Sequence, residues 1–236
     1  MTPRRRIVPV FVPHLGCPHQ CVFCDQRTIS GITAPAGPET VREALRSAQA
    51  VTAWAELAFY GGSFTAVSPR VQTGLLEAAQ PFRETGFLTA IRVSTRPDCI
   101  DGESLDRLKA YGVETVEMGA QSMSDRVLAA SGRGHYASDT VQAFSLLREN
   151  GFRVVLQMMT GLPASDPASD LETAQRLAEL RPDGVRIYPT LVLRGTMLAK
   201  LLDRGEYRAR TVEETVENCA PLARLFRERE IAREGV

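Results

Sequence analysis

The sequence is short of several things, and each shortage excludes a class of protein. It has no excess of either charge: 28 Lys and Arg stand against 28 Asp and Glu in 236 residues, a formal net charge of zero. That balance speaks against a general nucleic-acid binder while leaving room for a local basic patch. There is no long apolar run either. The longest near-continuous one, Ile7 to Pro13, is far too short to span a bilayer. Arg4, Arg5 and Arg6 lie near the start, but no apolar signal-peptide core follows them, so a cytoplasmic protein without a membrane segment is expected. No low-complexity tract or linker interrupts the chain, and a single domain over residues 1–236 is expected. Hydrophobic residues at 44% and charged residues at 24% are ordinary for a globular protein and exclude disorder, collagen and a coiled coil.

What is present begins with cysteine. There are five, and Cys17, Cys21 and Cys24 crowd into eight residues. An odd count without a signal peptide argues against a disulfide framework. The run Gly16-Cys17-Pro18-His19-Gln20-Cys21-Val22-Phe23-Cys24 is a C-x-x-x-C-x-x-C loop just after the first expected strand. Three thiolates on one tight loop hold three corners of a cluster or metal and leave a fourth position open, as catalysis at a metal requires. A structural zinc site completed by His14 or His19 fits the same spacing. Cys219 reads as a small hydrophobe on the last helix, and Cys99 as a bystander in a loop.

Strands are expected at Ile7–Val12, Leu57–Tyr60, Leu88–Ser94, Val113–Met118, Phe152–Met159 and Gly184–Tyr188, several of them apolar on both faces as buried parallel strands require. Amphipathic helices fall between them. Ser68 and Pro69 open one whose Val71, Leu75 and Ala79 share a face, and Ser138 opens another with Val141, Phe144 and Leu147 inward, closed by Gly151. Leu105 and Leu108 face inward before Gly112 ends their helix. Asp170 is the expected cap of a helix carrying Leu171, Ala174 and Leu177, and the last helix aligns Val212, Val216, Cys219, Ala223 and Phe226 around Pro221. This alternation means a parallel sheet with right-handed crossovers. Six units are too few for the usual eight-stranded barrel, and a partial barrel or an open doubly wound sheet both fit. The chain stops at Val236, with Ile231 to Val236 patterned like the approach to another strand, as in a fragment or a short protein.

The cysteine spacing, with an aromatic residue just before the last cysteine, resembles the cluster motif of the radical S-adenosylmethionine superfamily. The resemblance continues at the end of each later strand: Tyr60-Gly61-Gly62-Ser63-Phe64, Ser94-Thr95-Arg96-Pro97-Asp98, Glu117-Met118-Gly119-Ala120-Gln121-Ser122, Gly132-Arg133-Gly134-His135, Met159-Thr160-Gly161-Leu162-Pro163 and Arg186-Ile187-Tyr188-Pro189-Thr190. Singly these are ordinary turns. Their weight lies in sharing the carboxyl ends of strands, where parallel barrels and sheets place their sites.

The resemblance implies a partial (β/α)6 TIM-like barrel. It implies a [4Fe-4S] cluster held by Cys17, Cys21 and Cys24, with one iron left for S-adenosyl-L-methionine. It also implies cofactor contacts from the backbone around Phe23, from Gly61, Gly62, Ser63 and Ser94, from Gln121 to the ribose and from Arg133 to the carboxylate. Ser94 stands where the relatives carry an acidic residue. The implied activity is reductive cleavage of S-adenosylmethionine to a 5′-deoxyadenosyl radical that abstracts hydrogen from a substrate, with an electron donor such as flavodoxin or ferredoxin. The stretch from Val185 to Thr196 is most similar to the radical domain of the Elongator catalytic subunit, without its acetyltransferase domain, which points to RNA. Oxygen-independent coproporphyrinogen oxidase is a more distant likeness and points to a small molecule. A non-enzymatic cluster or zinc protein is the competing reading.

Overall fold

The computed structural model describes residues 6–12, 17–25, 31 and 36–234. Arg4, Arg5, His14 and Gly16 lie outside the described residues. The elements are β1 (Ile7–Phe11), α1 (Pro38–Gln49), β2 (Ala55–Tyr60), α2 (Pro69–Glu77), α3 (Gln80–Glu84), β3 (Leu88–Thr95), α4 (Gly102–Ala110), β4 (Val113–Gln121), α5 (Asp125–Ala130), α6 (Ala137–Glu149), β5 (Arg153–Thr160), α7 (Pro167–Glu179), β6 (Gly184–Pro189), α8 (Met197–Asp203), α9 (Val212–Glu228) and β7 (Ala232–Arg233). All six expected strands are there, and the pattern after Ile231 is a short seventh. Among the described residues the strands follow sequence order from β1 to β7, without the reversal that marks a doubly wound sheet.

The chain divides into two compact units. The first comprises Met1–Pro18, Gln26–Glu117 and Asn150–Phe152; the second comprises His19–Asp25, Met118–Glu149 and Arg153–Val236. In the first unit β1 pairs with β2 and β2 with β3, all parallel, with Val8 opposite Leu57 and Ala58 opposite Arg92. Alternation gives each strand two characters. Leu57, Phe59, Ile91 and Val93 are fully buried and point one way, while Glu56, Ala58, Arg92 and Ser94 point the other. In the second unit β5 pairs with β6, and β6 with β7, again in parallel.

Ser68 is the N-cap of α2 with Pro69 in the first turn, as expected. Its buried face is rotated from the expected one: Val71 is exposed and Gln72 is buried. The amide of Gln72 explains this, because it donates to the carbonyls of Thr65 and Val67 and accepts from Arg107, so burial leaves no polar atom unsatisfied. In α6, Phe144 and Leu147 are buried but Val141 is exposed. Asp166, not Asp170, caps α7, accepting from the backbone N–H of Ser169. Asp170 is itself buried, and its Oδ2 accepts from Gly161 N–H (3.3 Å), Arg210 (2.8 Å) and Asn218 (2.8 Å). In α9 the inward stripe is Asn218, Leu222 and Phe226, while Val212 and Val216 are exposed. The hydrogen bond from Asn218 to Asp170 turns the helix that way.

Candidate cofactor and cluster site

Cys17 belongs to the first unit; Cys21 and Cys24 belong to the second. Cys21 is buried, the other two are half-buried, and none of them is in a disulfide. Residues 19–25 form a tight loop closed by a hydrogen bond from Cys24 N–H to the Cys21 carbonyl (3.1 Å). Two further backbone bonds anchor it: Val22 N–H donates to Ser131 O (3.0 Å), and Leu198 N–H to Val22 O (2.8 Å). The loop is thus held by the segment after α5 and by the first turn of α8. Phe23 sits half-buried in its turn.

The Gly132-Arg133-Gly134 segment fits against this loop. Gly132 and Gly134 both have left-handed backbone (φ 65 and φ 70). A Cβ on Gly132 would lie 3.2 Å from the Gln20 carbonyl oxygen, and one on Gly134 would overlap the His19 ring. Only glycine permits both the conformation and the approach. Between them Arg133 is buried, its Nη1 donating to Cys21 Sγ (3.3 Å) and its Nη2 to the Gly119 carbonyl (2.6 Å). A guanidinium on sulfur is a charge-assisted donor of the kind a metal-bound thiolate accepts.

Gln121, at the end of β4, carries two marks of a ligand site. Its φ is 62, and Ser122 N–H bonds back to Ala120 O (2.8 Å), closing a γ-turn around it. A positive φ at a non-glycine residue in such a turn costs about 1–3 kcal/mol and persists where surroundings enforce it. Its side-chain oxygen is buried with no hydrogen-bond partner among the described residues. A buried acceptor left open in this way suits a donor that a ligand brings, such as a ribose hydroxyl.

In the first unit, Gly61 and Gly62 follow directly on Tyr60, with Gly61 at φ 100. Ser63 is buried, its hydroxyl 3.0 Å from that of Thr95. Ser94 is half-buried on the face of β3 that carries Arg92. Sequence reasoning did not single out the charge cluster on that face. Arg92 Nε donates to Glu56 Oε1 and Arg92 Nη1 to Glu117 Oε1, both at 2.7 Å, and the Tyr60 hydroxyl donates to Glu117 at 3.1 Å. All three charged side chains are buried. Each of the three stands on a different strand, and nothing local in the sequence pairs them. Equally unannounced is the clasp on Gly161, whose N–H meets Asp170 while its carbonyl accepts from Tyr207 (2.7 Å). Burial pushes the Tyr207 hydroxyl above its ordinary pKa, opposed by Arg210 and Arg208. Burial, then the charge of Asp98, pushes the Cys99 thiol up.

Among the described residues no group of three or more His, Cys, Asp and Glu side chains stands ready for a metal ion. The fit to a cluster rests instead on the C-x-x-x-C-x-x-C spacing in the sequence and, within the second unit, on Arg133 at the Cys21 sulfur. The fit to S-adenosylmethionine rests on the open acceptor of Gln121.

The sequence matches the description "Radical SAM superfamily" over residues 11–178 and "Radical_SAM C-terminal domain" over residues 182–232. A tRNA uridine(34) acetyltransferase of Dehalococcoides mccartyi is 29% identical over 85% of this chain and 52% of its own length. Elongator complex protein 3 of Mus musculus is 33% identical over 68% of this chain and 30% of its own. The chain therefore spans at most about half the length of these two relatives. Among solved structures, the archaeal Methanocaldococcus infernus Elp3 with an N-terminal deletion shares the fold at TM-score 0.77, with 24% identity, over 97% of this chain and 55% of that one. Coproporphyrinogen III oxidase (HemN) from Escherichia coli, described as a radical SAM enzyme, follows at TM-score 0.67 and 18% identity, over 95% of this chain and 53% of that one. The partial-barrel fold expected from the cysteine loop and the strand-end motifs is borne out.

Proposed function

The chain belongs to the radical SAM superfamily, and from that premise we propose that it is the radical core of an RNA-modifying enzyme. Members are enzymes, and their cofactors are a [4Fe-4S] cluster and S-adenosyl-L-methionine. When bound, these supply the reductive cleavage of S-adenosylmethionine to a 5′-deoxyadenosyl radical, which takes hydrogen from a substrate. The chain's own residues bind and orient. Cys17, Cys21 and Cys24 hold the cluster. The backbone around Phe23 would lie near the adenine, and Gly61 and Gly62 would admit the methionyl end without a side chain in the way. Gln121 accepts from the ribose, Arg133 reaches the carboxylate, and Ser63 and Ser94 complete the contacts. Residues 1–236 act as one core domain.

The reductant is an electron-transfer protein such as a flavodoxin or ferredoxin, and the cytoplasm is where we place the reaction. Among the described residues no helix is long and apolar enough to cross a membrane. RNA is favoured as substrate because three of the similar curated proteins are named tRNA uridine(34) acetyltransferase.

The observation that carries the reading is Cys21, buried on a loop that Ser131, Arg133 and Leu198 hold in place. The test is anaerobic reconstitution with iron and sulfide, reduction with dithionite, and assay of 5′-deoxyadenosine with and without tRNA, using Cys17→Ala as control. Formation that depends on Cys17 and rises with tRNA is expected. One bound zinc and no 5′-deoxyadenosine would leave the cysteines a structural clip. Turnover indifferent to tRNA would remove RNA from the proposal and leave the enzyme class standing.

A further inference from the structure

We infer that Arg133 sets the reduction potential of the cluster through its hydrogen bond to Cys21, a role separate from any contact with S-adenosylmethionine. The inference rests on the cluster reading above. Arg133 is buried, with Nη1 3.3 Å from Cys21 Sγ and Nη2 2.6 Å from the Gly119 carbonyl. The second bond matters as much as the first. It fixes the guanidinium plane from the end of β4, so that the other nitrogen stays aimed at sulfur. The backbone supports the same aim: Arg133 N–H donates to the Leu128 carbonyl (3.0 Å), and the flanking glycines close on Gln20 and His19. An arginine that served only a diffusible cofactor would not need to be fitted to the cysteine loop on both sides.

The direction of the effect follows from charge. One-electron reduction adds a negative charge that spreads over the cluster and its thiolate sulfurs. A fixed cation donating to one of those sulfurs favours the reduced form and raises the potential, since hydrogen bonds to the sulfurs are among the terms that set it. The guanidinium is a planar fork that reaches the sulfur and the carbonyl together, whereas a lysine ammonium on its flexible stem cannot hold both in that geometry. Arg133 is on this account a positioning residue for the electron-accepting step.

The test is a redox titration of the reconstituted full chain, followed by the electron paramagnetic resonance of the reduced cluster, without S-adenosylmethionine. Arg133→Met is expected to cut the ratio of reduced to oxidised cluster about tenfold at the wild-type midpoint, equivalent to about 59 mV for one electron. Arg133→Lys is expected to shift it by less. A midpoint unchanged in both variants overturns the inference, even if their affinity for S-adenosylmethionine falls, because the arginine would then serve the carboxylate alone. If Arg133→Met fails to take up iron, Arg133→Lys decides; if neither does, Arg133 serves assembly and the inference is wrong. A wild-type protein with no reducible cluster defeats the reading beneath the inference, and is distinguished by the zinc it would hold.

Discussion

Arg92 and Arg133 are both buried arginines, and they sit in contrasting company. Arg92 lies mid-strand in the first unit, between Glu56 and Glu117 at 2.7 Å each, with Tyr60 sharing the second carboxylate. Arg133 lies in a loop of the second unit and donates to a sulfur and to a carbonyl oxygen. Carboxylates from neighbouring strands discharge the first within the protein's own framework. The second is aimed at Cys21, one of the three cysteines proposed to hold the cluster. Burial alone therefore does not mark a functional charge; the chemistry of its partners does. Gln121 and Gly161 repeat the lesson without charge. Gly161 has both peptide groups bonded, to Asp170 and Tyr207, while Gln121 keeps a strained backbone and a buried oxygen with no described partner.

The sharpest way to break the first contrast is to remove each arginine. Arg92→Met leaves two carboxylates buried without their cation, and removing one partner of a buried pair costs about 3–5 kcal/mol. Chemical denaturation of the protein as purified should show that loss. Arg133→Met should cost clearly less in the same experiment while shifting the cluster potential. Equal losses of stability would dissolve the distinction between the two.

The second contrast has an opposite sign at its two ends. Gln121→Gly removes backbone strain of about 1–3 kcal/mol, offset in part by the chain entropy of glycine, so the melting temperature should rise or hold. Binding of S-adenosylmethionine, measured on the reconstituted protein by equilibrium dialysis, should weaken at least several-fold. Unchanged binding would remove Gln121 from the site. Tyr207→Phe, by contrast, loses one neutral hydrogen bond and should cost about 1 kcal/mol of stability.

The smallest expected effect concerns Cys99. With its thiol pushed above its ordinary pKa of 9.0 by burial and Asp98, it should react with iodoacetamide more slowly than a model thiol at pH 8. The rate should still climb beyond pH 9, as the thiolate forms later in the folded protein. A peptide map after timed labelling reads it directly.

The same contrasts explain what was legible in the sequence. Strands were legible because β2, β3 and β5 each keep at least one apolar face, and that pattern survives without knowledge of partners. The cysteine loop was legible because its residues are contiguous. Helix faces went astray at Gln72 and Asn218, where a polar side chain is buried on hydrogen bonds that apolar periodicity does not count. Asp170 resembles a cap in sequence for the same reason: its buried hydrogen bonds to Gly161, Arg210 and Asn218 are non-local. The Glu56–Arg92–Glu117 cluster joins residues 36 and 25 positions apart on three different strands, so no local pattern announces it. Arg133 was visible as an arginine between glycines, but its contact with Cys21 spans 112 positions and belongs to the fold.

Cys17, Cys21 and Cys24 are proposed to hold a cluster with one iron open to S-adenosylmethionine. The most direct measurement is the electron paramagnetic resonance spectrum of the reduced, reconstituted protein before and after S-adenosylmethionine is added. A cluster signal that S-adenosylmethionine changes, and that Cys21→Ala abolishes, is the predicted result. A signal indifferent to S-adenosylmethionine, or a protein that holds zinc and gives no signal, would contradict the account.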